Sequence, residues 1–247
     1  MAKTKDILLG DGTQIPIIHE DSAVLAIDKP AGWMLAPVWW DRTGRNLQRA
    51  IESCLHGGEF WCRSRHLRFL RHIHRLDADT SGVLLLAKSP GVLRIFSQMF
   101  ETRKVEKSYL AVVEGAPKTG EWVCSWPIGQ DPSRRNAMKI NGTEPREALT
   151  RCRVLEVGPT SSLVLAQPLT GRTHQIRVHL AAAGHPVLGD PLYGKSPGRQ
   201  TPNNLALRAV KLGYEDPFKR KRVLIEASSQ AFLSLWGFSS ASGKAMA

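Results

Sequence analysis

The apolar residues of this chain come in short runs broken by turn-forming residues, and the longest, such as Val83-Leu84-Leu85-Leu86-Ala87, reach only five residues. A run of that length is a buried strand, far short of the roughly 20 residues a membrane-spanning helix needs. Alternating or continuous apolar patterns predict strands at residues 23–28, 108–113, 121–128, 148–157, 162–169, 206–210 and 222–225. Helical spacing is rarer. Leu47, Ile51, Cys54 and Leu55 share one face of a helix over 46–55 that stops at Gly57-Gly58. Ser89-Pro90 reads as a cap followed by a residue that needs no amide partner, opening a helix that presents Leu93, Phe96, Met99 and Phe100 on one side. A third helix is expected over 174–183, stopping at Gly184, and a closing one over 231–238. Many strands, few helices and no regular βαβ alternation predict an α+β fold.

Composition narrows the function. The 247 residues are 42% hydrophobic, which excludes global disorder. Lysine and arginine number 34 against 22 acids, a net charge of +12. Such an excess points to a polyanionic partner, of which nucleic acid is the commonest. The first residues lead into no apolar stretch, so neither a secretory signal nor membrane attachment is expected, and a cytoplasmic location is. Cys54, Cys62, Cys124 and Cys152 form no C-x-x-C pair and are expected as reduced thiols.

The charge is concentrated. Residues 60–76 hold Arg63, Arg65, Arg68, Arg71 and Arg75 with His66, His72 and His74, no acid, and interleaved Phe60, Trp61 and Phe69. Guanidiniums beside aromatic rings suit phosphates and unstacked bases. The run ends in Leu76-Asp77. A carboxylate placed directly after so many cations is expected to be ionised, a nucleophile or base rather than a proton donor, unless it only forms a structural ion pair. The three histidines lack acidic or cysteine neighbours, which disfavours a metal site. Asp79-Thr80-Ser81-Gly82 interrupts the Asp-Thr-Gly of aspartic proteases and reads as a turn capped by the Asp79 and Thr80 side chains. Ser81 sits in no G-x-S-x-G elbow. A second dense segment runs from Gly171-Arg172-Thr173-His174-Gln175-Ile176-Arg177-Val178-His179-Leu180 to Gly189-Asp190. With Thr173 near a helix N-cap, Ile176 and Leu180 face the core and Arg177 can reach inward, where it needs a carboxylate. Asp77 is the candidate the sequence offers.

The chain closely resembles the RluA-type pseudouridine synthase family. The resemblance is carried by His74-Arg75-Leu76-Asp77-Ala78-Asp79-Thr80-Ser81-Gly82 with Leu84-Leu85-Leu86-Ala87-Lys88, by Lys107-Ser108-Tyr109-Leu110-Ala111-Val112-Val113-Glu114-Gly115, by residues 171–194, and by an Asp28-Lys29-Pro30-Ala31-Gly32 entry. The blocks fall in the family's order. The resemblance implies a long, mostly antiparallel mixed sheet with flanking helices and a central active-site cleft. It implies an enzyme that isomerises uridine to pseudouridine in rRNA or tRNA. Asp77 matches the catalytic aspartate, Tyr109 the tyrosine that packs on the target base, and Arg177 the arginine that pairs with the aspartate. Arg75 matches the arginine that fills the gap left by the flipped nucleotide. His74, Lys107 and Arg172 are expected to contact RNA. No cofactor, metal or obligate protein partner is expected, and the protein is expected to act as a monomer.

In domain terms, residues 1–14 are an extension, 15–238 the catalytic domain and 239–247 a tail. The family's larger members carry an N-terminal S4 domain, for which this sequence leaves no room, so capture of RNA is expected from basic surfaces such as Lys219-Arg220-Lys221-Arg222. Arg208 stands where the family usually has a histidine. Two other readings compete. A catalytically silent RNA-binding module would have no use for Asp77, Tyr109 and Arg177 together. A glycosidase using Asp77 and Asp79 would need its carboxylates held across a sugar.

Overall fold

Where the sequence carries its clearest local signals, the chain obeys them. The computed structural model describes residues 3–35, 45–194 and 205–239. It divides into two compact units, Met1–Val105 with Lys211–Ala227, and Glu106–Val210 with Ser228–Ala247.

The first unit opens with β1 (Asp6–Leu8), β2 (Gln14–Glu20) and β3 (Val24–Lys29). Next comes α1 (Leu47–Gly57), capped at one end by the Asn46 side chain, which accepts from Arg49 N, and at the other by Gly58 at φ 61°. A left-handed cap residue of that kind favours glycine, and two glycines stand there in sequence. A short α2 (Phe60–Arg63) and β4 (Arg71–His72) lead to β5 (Ser81–Ala87). Then α3 (Pro90–Glu101) begins as expected, with Ser89 Oγ accepting from Val92 N at 3.2 Å and proline in the first turn. The ladder runs antiparallel from β1 to β2, β3 and β5, with β4 also on β5. Its core gathers Val24, Ala26, Val83, Leu85, Phe96 and Tyr214, the last two edge to face at 5.2 Å between ring centroids.

The second unit is built on β6 (Val105–Glu114), β7 (Glu121–Cys124), β8 (Ile128–Gln130), β9 (Met138–Ile140), β10 (Thr143–Arg146), β11 (Thr150–Val157), β12 (Ser161–Pro168) and α4 (Gln175–Ala182). Antiparallel ladders join β6 to β12, β12 to β11 and β11 to β7. β8 pairs with β9 and β10 in a small separate sheet. The single strand expected over 121–128 is therefore two: Pro127 cannot donate to a ladder, and the chain changes sheet there. The core stacks Leu110, Val112, Leu163, Leu165, Ile176 and Leu180.

The strand expected over 206–210 is longer, β13 (Leu207–Glu215), and its far half pairs with β14 (Arg222–Glu226). Gly213 sits inside it, buried, where a glycine reads from sequence as a break. Helix α5 (Gln230–Leu235) closes the described chain, and all of the expected tail except Ser239 lies outside the described residues. The architecture is α+β. Among the described residues no helix is long and apolar enough to cross a membrane, and the four cysteines are free and buried.

Candidate active site

In the first unit the basic run leads into a loop that presents Asp77. Leu70 and Leu76 are buried anchors on either side of the exposed Arg71 and Arg75. β4 lasts only two residues, but the ladder continues through Ile73, whose N–H donates to Leu85 O at 3.0 Å. His74 then takes over with its side chain. Its Nε2 accepts from Leu85 N at 3.1 Å, which assigns the ring proton to Nδ1, and the ring stacks on Phe100 at 4.7 Å between centroids. His74 thus supports the loop from the sheet side.

The turn after Asp77 is closed by Thr80 N donating to Asp77 O at 3.1 Å. From beneath it is held by Lys29, which is fully buried. Lys29 Nζ donates to Ala78 O at 2.8 Å, Thr80 O at 2.9 Å and Pro30 O at 3.0 Å, using all three ammonium protons. Gly32 N adds a third tie to this turn, to Ala78 O at 2.9 Å; the glycine is at φ 82°, a conformation that β-carbon-bearing residues resist. Burial pushes the Lys29 ammonium down to about 8, against the attraction of Asp79 and Asp77, so it remains a cation at neutral pH. The described turn bonds are therefore main-chain and lysine ones, not the Asp79 and Thr80 side-chain caps that the tetrapeptide suggests. The turn of Asp28-Lys29-Pro30-Ala31-Gly32, read in the sequence only as punctuation, is the scaffold of the Asp77 loop.

The basic run itself divides. Arg63, Arg68, Arg71 and Arg75 are exposed. Arg65 is not: its side chain is 2% exposed and is bound to Glu20 at 3.0 Å, to Thr4 and to Trp61 O. One of the five arginines is thus internal structure. His72 is half-buried, with Nδ1 2.9 Å from Gln48 Oε1; burial first, then Arg71 and Arg75, pull it down to about 4, so it is neutral. Among the described residues no group of three or more His, Cys, Asp or Glu side chains is placed to hold a metal ion.

In the second unit β6 carries Tyr109 opposite Ala166 of β12, half-buried against the core. Lys107, two residues earlier on the same face, donates from Nζ to Thr170 O at 2.9 Å. Thr170 starts the turn that leads into α4. Gln175 organises this turn: its Oε1 accepts from Thr170 Oγ1 at 2.7 Å and Arg172 N at 2.9 Å, and its Nε2 donates to Leu149 O and Thr150 Oγ1. Arg172 Nε donates to Glu147 O at 2.8 Å. The cap of α4 is His174, not Thr173, and it sits at φ 56° with no side-chain cap bond. Its Nδ1 lies 2.8 Å from the Tyr193 hydroxyl, which also accepts from Met138 N at 2.8 Å. Ile176 and Leu180 face the core as expected.

Arg177 is buried, and the carboxylate against it is one that spacing did not single out. Asp190 Oδ2 accepts from its Nε and Oδ1 from its Nη2, both at 2.8 Å. The Asp190 side chain is fully buried, and Oδ1 also accepts from Leu192 N and Tyr193 N. The Arg177 guanidinium lies over the Tyr193 ring, 5.2 Å from its centroid, in cation–π range. Asp190 and Tyr193 both stand in the block that carries the resemblance, so proximity in sequence was the one available signal. Arg208 is also buried, and its Nε and Nη2 donate to Ser228 O at 3.0 and 2.8 Å.

Known proteins resemble this chain in sequence and in fold. The sequence signature described as RNA pseudouridylate synthase matches residues 24–182. An uncharacterized RNA pseudouridine synthase of Bacillus subtilis, YhcT, is 35% identical over 216 residues, covering 87% of this chain and 68% of its own. The dual-specificity RNA pseudouridine synthase RluA of Vibrio cholerae is 31% identical over 204 residues, covering 82% and 78%. Among solved structures, human RNA pseudouridylate synthase domain containing 1 superposes with a TM-score of 0.71 at 30% identity, covering 90% of this chain and 86% of the other. The chain belongs to the RNA pseudouridylate synthase family, the isomerases that convert uridine to pseudouridine within RNA.

Proposed function

We propose that this chain isomerises specific uridines of rRNA, tRNA or both, with Asp77 as the catalytic carboxylate. The observation that carries this reading is the Asp77 loop, fixed from below by two hydrogen bonds from one buried lysine, to Ala78 O and Thr80 O. A reacting group held on a rigid frame loses little freedom at the transition state. The reaction breaks the C1′–N1 bond of the nucleoside, turns the uracil, joins its C5 to the same C1′, releases the C5 proton and protonates the freed N1. Nothing is oxidised and no group leaves the RNA. One carboxylate suffices to attack the ribose or to take a sugar proton. The base must first leave its stack, at a cost of a few kcal/mol. In this reading Arg75 fills the gap, Tyr109 packs on the extruded base, and Arg177 serves the carboxylate. His74 and Arg172 support the RNA-contacting loops, and Lys107 meets the RNA at the target base rather than at its phosphates. The exposed Arg63, Arg68 and Arg71 and the hairpin cations Lys219-Arg220-Lys221-Arg222 supply phosphate contacts.

The relative from Vibrio cholerae is a dual-specificity RNA pseudouridine synthase, which favours more than one RNA substrate here. The enzyme acts in the cytoplasm as a monomer, on one catalytic domain spanning 15–238. The experiment is to map pseudouridine in cellular RNA with and without the gene. Sites that vanish on deletion and return with the wild-type protein support the reading. An unchanged map, with RNA binding intact, would favour a silent binding module.

A further inference from the structure

Lys29 is fully buried and Lys107 is half-buried, and the two are satisfied very differently. An ammonium has three donors. Lys29 spends all three on carbonyl oxygens. Lys107 spends one, on Thr170 O, and among the described residues no carboxylate pairs with it. A half-buried cation with one protein partner and no counter-charge adds little to stability, and an apolar side chain of similar volume can replace it without loss. A structural role does not account for keeping it.

Its position indicates a use. Lys107 lies two residues before Tyr109 on β6, so the two side chains stand on one face of the strand. The next residue after its acceptor is Gly171, whose backbone is outside the left-handed region. A β-carbon there would meet nothing nearer than Lys107 Nζ, at 4.0 Å. The backbone does not require a glycine at 171, and its effect is to leave room beside the ammonium.

We propose, resting on the pseudouridine synthase reading, that Lys107 is a catalytic residue whose ammonium donates to a carbonyl oxygen of the target uracil as the base departs. When C1′–N1 breaks, the bonding pair leaves with the uracil, and its negative charge spreads onto the ring oxygens. Lys107 keeps its proton throughout and stabilises that charge; the charge disappears when C5 bonds to C1′, after which the C5 proton goes to solvent and N1 takes one up. A donor that is preorganised and partly desolvated is effective against charge that exists only along the reaction path. A phosphodiester contact would show itself differently, in affinity rather than rate. Burial alone lowers the Lys107 ammonium, to about 8; neither Glu106 on β6 nor Arg172 beyond β12 offsets it. The group is therefore charged at neutral pH and loses its proton just above.

The test uses RNA purified from cells lacking the gene and grown on uridine tritiated at C5, with tritium release followed under enzyme excess. Lys107→Met is expected to melt no lower than wild type and to retain RNA on filters equally well. Its single-turnover release should slow by about a hundredfold or more, the effect of deleting one oxyanion donor. At subsaturating enzyme the wild-type rate should fall as pH rises through about 8, whereas Lys107→Arg, active at neutral pH, should show no such fall. A Lys107→Met protein that releases tritium at the wild-type rate would overturn the proposal. So would one that loses RNA retention but reacts normally at saturation. Should Lys107→Met fail to fold, the Lys107→Arg profile decides: a fall near pH 8 identical to wild type overturns the proposal, and its disappearance supports it. Absence of release by the wild-type enzyme would overturn the pseudouridine reading and this role with it.

Discussion

Replacing Asp190 by asparagine tests the buried pair that holds Arg177. The exchange keeps side-chain shape, and an amide oxygen can still accept from Leu192 N and Tyr193 N, which lie 2.9 and 3.1 Å from Oδ1 in the native protein. It removes the charge and one of the two 2.8 Å acceptors of the Arg177 fork. With Asp190 fully buried and the Arg177 side chain 6% exposed, water cannot replace what is lost. Breaking a buried pair by removing one partner costs roughly 3–5 kcal/mol, and the retained amide contacts place this case near the lower end, at about 3 kcal/mol. For a domain of this size that lowers the melting temperature by about 6–12 °C. The assay is thermal and urea unfolding of wild type, Asp190→Asn, Arg177→Met and the double variant. The double variant should be more stable than the sum of the single losses implies, by about 1–3 kcal/mol of coupling. An unchanged Asp190→Asn midpoint, or strict additivity, would refute the reasoning.

Three further outcomes follow from the same structure. Tyr109→Phe should retain RNA affinity, whereas Tyr109→Leu should lose roughly 1–3 kcal/mol of base stacking in a filter-binding or single-turnover assay; equal behaviour would remove Tyr109 from the base. Lys29→Met leaves Pro30 O and Thr80 O without the lysine donor, at about 1–3 kcal/mol each, while Ala78 O keeps Gly32 N, so both melting temperature and turnover should drop, unlike the stability outcome for Lys107→Met. Burial opposes the ionisation of Glu20, but hydrogen bonds from Lys88, Lys3 and Arg65 outweigh it and hold the carboxyl at about 2. Its contribution is therefore present above its ordinary value of 4.5 and lost as pH falls toward 2; Glu20→Gln should destabilise the protein at neutral pH and converge with wild type in acid, and parallel pH profiles would show the triple contact to be without effect.

How much of this was legible in the sequence depends on the range over which each signal acts. The ends of α1 and α3 were written locally, in Asn46 and Gly58 and in Ser89-Pro90, because a cap is satisfied by its own neighbours. The core-facing Ile176 and Leu180 followed from helical spacing. β9 and β10 were not read: they are short, and β10 is exposed at every position, so no apolar alternation marks it. β1 was read as part of an extension, yet it pairs with β2, since three residues carry too little pattern to announce a strand. The cap of α4 moved from Thr173 to His174 because the turn is organised by Gln175 and the Tyr193 hydroxyl, contacts that no local rule supplies. The chemistry-bearing residues stood out as motifs. Their supports did not: Lys29 reaches the Asp77 loop from 49 and 51 positions away, and Arg65 is withdrawn from the basic surface by Glu20, 45 positions away. Tertiary distance, not residue type, decides which cations are free to meet RNA.

The central claim is that Asp77 performs the isomerisation, and the pseudouridine content of RNA after incubation with purified protein tests it most directly. Wild type and Asp77→Asn, the latter first shown to melt as a native fold, are incubated with RNA from cells lacking the gene, and pseudouridine is mapped and counted. The account predicts new pseudouridines at discrete positions with wild type and none with Asp77→Asn, at undiminished RNA affinity. A folded Asp77→Asn protein that makes pseudouridine at near the wild-type rate would contradict it and transfer the role to Asp79.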